Sequence, residues 1–211
     1  MLIFTKSEMA ANRVMKSICS WLERKLFLKV NATKTKVVRP TRSKYLGFTF
    51  LKNGSEWKVR PTNEKKKKLK KKLSEYLKRG KAVARPLAVT IKRVNEIVRG
   101  WMKIISEIGM MKLFIEELGE WLRHKMRVIV MKQWKKPKTI YRNLSYLNWK
   151  NKTGCNQEEI FKVANSRLGW YRRCGMSVVN FIISKDLLEN RIKDGANLLN
   201  PLSYYLVKVG I

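Results

Sequence analysis

Apolar residues recur every three or four positions between residues 7 and 26, at Ala11, Val14, Met15, Ile18, Leu22 and Leu26. That spacing predicts an amphipathic helix, with a sheet as its partner. From Phe27 the pattern shortens to β-rich pieces: Leu28 to Val30, Thr35 to Val38, Tyr45 to Leu51 and Trp57 to Arg60. Asn53-Gly54 separates the last two, and both residues accept positive φ, so those strands are expected to form a hairpin. The result is a small α+β unit ending near Pro61.

Beyond it the periodicity is helical. Thr62 is a candidate cap for a helix with one narrow seam, Leu69, Leu73, Tyr76 and Leu77, and Gly80 is its expected stop. A second helix opens near Pro86 and repeats Leu87, Ile91, Val94, Val98, Trp101, Ile105 and Ile108 as a core stripe. A third runs from about Met111 to Gln133 with Phe114, Leu118, Trp121 and Leu122 inward, which suggests a three-helix bundle. Residues 133–152 read as a loop-rich basic stretch, followed by helices near 157–168 and 177–190 joined by Gly169 to Arg173. The expected fold class is α+β, mostly helical, divided at 1–60, 61–133 and 134–211.

Charge adds a partner to this outline. Lys and Arg number 48 against 15 carboxylates, a formal net charge of +33 on 211 residues. Self-repulsion of that size calls for a polyanion, and phosphate backbones bind such surfaces by releasing condensed counterions. The candidate RNA contacts are Lys65, Lys66, Lys67, Lys68, Lys70, Lys71 and Lys72 on the first bundle helix, with Arg99, Arg123 and Arg127 on the next two. Trp134, Lys135, Lys136, Lys138 and Arg142 follow in the basic stretch, then Arg172 and Arg173. Aromatic residues interleave with these cations, Trp134, Tyr141, Tyr146 and Trp149, a mixture suited to stacking bases while holding phosphates. Of these rings, Tyr146 and Trp149 are assigned mainly to packing and Trp134 to contact.

Catalytic chemistry finds little to work with. Aspartate occurs only at Asp186 and Asp194, eight residues apart, and Glu116, Glu117 and Glu120 read as one solvated helix face. These carboxylates are poorly placed for two-metal phosphoryl transfer, so no metal site and no cofactor are expected in this chain. His124 is the sole histidine and lies between Arg123 and Lys125, which favour its neutral form. Cys19, Cys155 and Cys174 are isolated thiols without the paired spacing of a zinc site, and they suit a reducing compartment. No secretory signal follows Met1, and the longest apolar run, Met176 to Ser184, is too short to cross a bilayer. The bacterial cytoplasm is the expected location, with an organelle as the alternative.

Several segments resemble the group II intron reverse transcriptase/maturases, in that family's order. Asn31-Ala32-Thr33-Lys34-Thr35 is similar to the family's Asn-x-x-Lys-Thr segment, and Tyr45-Leu46-Gly47-Phe48 to its primer-grip hairpin. Asn95 through Trp101 resembles the Asn-x-x-x-Arg-Gly-Trp signature of the thumb, or maturase X, domain. Trp134-Lys135-Lys136 and Ala164 to Trp170 are similar to later motifs. The resemblance implies that residues 1–60 are the end of a polymerase palm, 61–133 the thumb, and 134–211 a basic C-terminal extension. It also implies that the catalytic aspartates, which hold Mg²⁺ in the full-length family, precede Leu2-Ile3-Phe4 and are absent, so no polymerisation is expected from this chain alone.

The function so implied is binding of structured intron RNA to assist its folding and splicing, with target DNA a further candidate partner and no membrane. Lys34, near the incoming nucleotide in the polymerase, is left as a phosphate contact or surface charge. The alternatives are half of a split RNA-directed DNA polymerase completed by a separate N-terminal chain, and a decayed fragment without a role. A reading of the lysine run as a membrane-surface or import signal ranks last, since its seam lacks a broad apolar face.

Overall fold

The computed structural model of the chain describes residues 1–105, 112–192 and 196–209. Ile108, Met111 and Asp194 lie outside the described residues. The architecture is mostly helical α+β, with a two-stranded antiparallel sheet. The chain divides into two compact units, Met1–Lys66 and the residues from Lys67 onward.

In the first unit, α1 spans Glu8–Lys25, and Ser7 caps it by accepting from the Ala10 amide at 3.2 Å. Glu8 in the first turn and Arg24 and Lys25 in the last match the helix dipole. Its predicted stripe is present, yet no residue of α1 is buried. The pieces Leu28 to Val30 and Thr35 to Val38, expected as strands, are not strands. Their β-rich composition meets no neighbouring strand, and an unpaired strand leaves its backbone groups unsatisfied. A 3₁₀ turn at Pro40–Arg42 leads to the hairpin of β1, Phe48–Asn53, and β2, Glu56–Pro61. Phe48 faces Pro61 and Asn53 faces Glu56, so the two-residue loop is Gly54-Ser55, one position beyond the expected Asn53-Gly54. Only Ser43, Pro61 and Thr62 are buried among the described residues of this unit.

Thr62 caps α2, Asn63–Tyr76, accepting weakly from the Lys65 amide at 3.4 Å. Leu69, Leu73 and Leu77 are buried as the seam predicts, but the helix ends at Tyr76, and Gly80 sits inside the short helix α3, Arg79–Ala82. In α4, Leu87–Ile105, the stripe of Ile91, Val94, Val98 and Met102 is buried. The next helix, α5, Lys112–Trp134, buries residues on nearly every side: Phe114, Leu118, Leu122, Met126, Ile129 and Met131 among them. Its buried positions spread round the axis because helices pack on several of its sides.

Those helices come from the C-terminal third. The stretch 133–152, expected as loop, is largely helix α6, Pro137–Asn151. Pro137 occupies the first helical position, where its missing N–H costs nothing and its φ is already helical. Ile140 and Leu144, four apart, bury the inner face. There follow α7, Gln157–Asn165, α8, Trp170–Cys174, α9, Ser177–Ile182, and α10, Lys185–Asn190. The single helix expected over 177–190 is broken because Ser184 caps α10, accepting from the Leu187 amide at 3.1 Å. An unanticipated helix, α11, Pro201–Val209, packs on α5, as do α6 and α8. The unit therefore continues without a break across the 133/134 division.

Candidate nucleic-acid interface

The α2 lysines divide by what their ammonium groups can reach. Lys67, Lys68, Lys71 and Lys72 are exposed. Lys65 instead lays its stem against Gly47, just before β1, with Nζ 3.6 Å from the Phe48 ring centroid. Partial burial holds its pKa below the usual lysine value. Lys66 is half-buried, and Lys70 lies 5.5 Å from the Phe114 ring. The solvated face is thus narrower than the run of seven suggests, because a helix that packs by any seam draws its flanking lysine stems over that seam.

Between α5 and α6, Lys135 and Lys136 are exposed, and Lys138 follows on the first turn of α6. Lys135 has φ +57°, left-handed backbone that costs a side-chain-bearing residue roughly 1 to 2 kcal/mol. The sharp reversal it makes aims both lysines outward. Trp134, assigned to contact, is half-buried at the end of α5. Tyr146 and Trp149, assigned to packing, are the exposed rings, at 54% and 75%. The packing assignment of Tyr146 and Trp149 fails for a geometric reason: once 137–151 is a helix, Ile140 and Leu144 take the core side and positions 142, 146, 149 and 150 fall on the opposite face. That outer face carries Arg142, Tyr146, Trp149 and Lys150, with the two ring centroids 6.2 Å apart.

Two arginines expected at the surface are buried. Arg127 on α5 is 8% exposed and donates through Nε to the Ile183 carbonyl at 2.8 Å, satisfying the end of α9. Arg173 on α8 is 6% exposed and donates through Nε to the Val163 carbonyl at 2.7 Å and through Nη2 to the Ala164 carbonyl, both in the last turn of α7. Helix ends leave carbonyls without intrahelical donors, and a guanidinium fork supplies them. Burial lowers both guanidinium pKa values, and these side chains are held in the fold instead of facing RNA. Arg123 is half-spent too, paired at 3.0 Å with the buried Glu189 carboxylate. Arg99 and Arg172 remain exposed.

His124 packs its ring on Tyr171, centroids 4.0 Å apart. Its pKa is lowered by burial first, then by Arg127 and Lys125, against a raising contribution from the Tyr171 backbone. Lys125 reaches the same Tyr171 ring at 5.4 Å, and that ring is 54% exposed. Tyr171, Lys125 and Arg172 thus make a second place where an exposed ring lies beside cations. Cys174 is buried beneath them, and burial pushes its thiol up to about 12.

In the first unit the family-like segments are two turns. Asn31 accepts the Lys34 amide at 3.1 Å and the Thr33 hydroxyl at 2.7 Å through Oδ1, and its carbonyl accepts the Thr35 hydroxyl at 3.0 Å. This Asx turn accounts for the Asn-x-x-Lys-Thr spacing and leaves Lys34 exposed. Tyr45 and Phe48 exchange both backbone hydrogen bonds, at 2.9 and 2.8 Å, around Leu46 at φ +49° and Gly47 at φ +80°. Position 47 favours glycine for that φ, and a Cβ there would press on the Lys65 stem at 3.1 Å. Leu46 at the tip is 77% exposed.

Among the described residues, no three His, Cys, Asp or Glu side chains gather into a group that could hold a metal ion. Nor, among the described residues, is any helix long and apolar enough to cross a membrane.

The Asn95 side chain, one turn before Arg99, reaches across the unit: Nδ2 donates to the Asn197 carbonyl at 2.8 Å, and Oδ1 accepts the Leu199 amide at 2.9 Å. The first residue of the Asn-x-x-x-Arg-Gly-Trp segment thus clamps a distant loop, a role that spacing alone does not reveal. No curated protein matches the chain. Residues 66–147, which run from α2 through most of α6, match the family described as "Group II intron, maturase-specific domain", and that match supports a group II intron maturase with a role in splicing.

Proposed function

We propose that this chain binds structured intron RNA and stabilises its folded form, leaving the splicing chemistry to the RNA. The observation that carries the reading is the outer face of α6, where Arg142, Tyr146, Trp149 and Lys150 put two exposed rings among cations. Exposed aromatic faces stack unpaired bases, and the cations beside them offset phosphate repulsion where RNA segments converge. Lys135, Lys136 and Lys138 extend the same basic surface, and the net charge of +33 supplies long-range attraction. A titration of intron RNA binding against salt tests it. Affinity should fall linearly on a log-log plot, by roughly 0.7 to 0.9 for each phosphate neutralised. A salt-independent affinity, or no binding at low salt, rejects the proposal.

A second reading rests on the first unit. Its apolar residues stay open, including Phe27 at 88%, Leu46 at 77% and Trp21 at 54% exposed, and no residue of α1 is buried. Exposed apolar surface of this extent marks a protein contact. A separate polymerase chain carrying the catalytic aspartates would cover it and form a working reverse transcriptase. Primer extension that stays at background when the two chains are mixed rejects this reading.

A further inference from the structure

The loop clamped by Asn95 shapes one wall of a cleft of about 460 Å³ whose rim carries Arg99 and Lys185. Its walls are held by a closed set of hydrogen bonds. The Asn200 Oδ1 accepts the Leu202 and Ser203 amides, while its Nδ2 donates to Glu189 Oε2 at 3.0 Å. The Leu198 amide donates to the Leu188 carbonyl at 2.8 Å, tying the loop to α10. Glu189 is the single carboxylate lining the cleft among the described residues. Both its oxygens are occupied, Oε1 by Arg123 at 3.0 Å and Oε2 by Asn200. Asp186, the nearest carboxylate on α10, is paired with Arg191 at 2.6 Å and accepts from Asn190. Arg99 and Lys185 are exposed and make no ion pair among the described residues.

The cleft therefore presents two unspent cations on a rigid polar wall, with its own acid neutralised from behind. Its volume falls within the roughly 300 to 1,000 Å³ that ligand sites span, large enough for a nucleotide unit. The lining of Asn190 and Ser203 offers hydrogen-bonding groups in place of an aromatic platform, so a sugar–phosphate fits it better than a stacked base. Resting on the RNA-binding reading above, we infer that this cleft holds one backbone phosphate of the bound RNA between Arg99 and Lys185, with the adjoining ribose against Asn190 and Ser203. It is a second contact, separate from the α6 face and from the lysines of α2.

The test uses the full chain and a radiolabelled group II intron RNA, comparing R99Q/K185Q with K162Q/K208Q. The second pair removes the same formal charge from exposed positions outside the cleft. Expected for R99Q/K185Q is an unchanged melting temperature, about tenfold weaker binding at low salt and a log-log salt slope smaller by about 1, the signature of one lost phosphate contact. K162Q/K208Q should weaken binding by less than about threefold, since isolated charges act through a screened field. Equal losses from the two pairs would overturn the inference, because net charge alone would then explain them, as would no loss from R99Q/K185Q. Wild-type protein that fails to bind RNA sinks the underlying reading, whereas wild-type binding with an unaltered R99Q/K185Q sinks only the cleft.

Discussion

Replacing Arg173 by leucine separates the two roles open to this residue. As an RNA ligand, its loss would leave melting unchanged and weaken binding. In the structure it is 6% exposed and donates to the Val163 and Ala164 carbonyls at the end of α7. Leucine removes both donors while keeping an apolar body; the Ala164 carbonyl loses its partner at about 1 to 3 kcal/mol, while the Val163 carbonyl keeps the Ser166 amide at 3.3 Å and loses less. Against this, leucine escapes the cost of burying a guanidinium, whose pKa burial already lowers. The net loss is about 1 to 3 kcal/mol, which for a domain of this length lowers the melting temperature by roughly 2 to 12 °C. Thermal unfolding followed by circular dichroism at fixed pH and salt reads the shift. R173K, with one ammonium in place of a two-pronged fork, should recover only part of the loss. A leucine variant that melts with the wild type and binds intron RNA several-fold more weakly would refute the burial argument.

The converse behaviour is expected of W149A, whose ring is 75% exposed on α6: melting within a few degrees of wild type and RNA affinity reduced by about 1 to 3 kcal/mol per lost stacked base, read by filter binding. His124 should make stability pH-dependent. Its folded pKa lies below 6.5, so the unfolded chain binds the proton first. The stability this contributes is complete above pH 6.5, declines as pH falls through the window between 6.5 and the lower folded value, and levels off beneath it. H124N should flatten that part of a denaturant-midpoint-versus-pH curve, and an unchanged curve would contradict the shift. Cys174, pushed up to about 12 and buried, should resist alkylation in native protein while the half-buried Cys19 and Cys155 label first. Mass spectrometry of the labelled chain gives the order, and early modification at Cys174 would be inconsistent with its burial.

Helices with an unbroken stripe were legible beforehand, α2, α4 and α5 above all, because one periodic face is a local property of the chain. The same holds for the hairpin, where Asn53-Gly54 advertised a turn within one residue of the real one. Strands were misread at Leu28 to Val30 and Thr35 to Val38 because β-rich composition says nothing about whether a neighbour is there to pair with. The basic stretch at 133–152 was misread because Pro137 punctuates a loop and starts a helix equally well, and only the burial of Ile140 and Leu144 distinguishes the two.

For the site, the distinction falls at the level of the single cation. Composition determined a strongly basic chain suited to a polyanion, poor in carboxylates and without paired metal-ligand spacing, and charge of that kind survives any arrangement of the backbone. Which arginines meet solvent was decided only in three dimensions. Arg172 and Arg173 are neighbours in sequence, yet one is exposed and the other caps α7. The physical reason is that a short helix turns successive residues by about 100°, so adjacent side chains meet different surroundings, and a helix end ten residues earlier needs a donor. The cleft at Arg99 was likewise invisible in the sequence, since Asn95 joins segments about a hundred positions apart through two hydrogen bonds that no local pattern encodes.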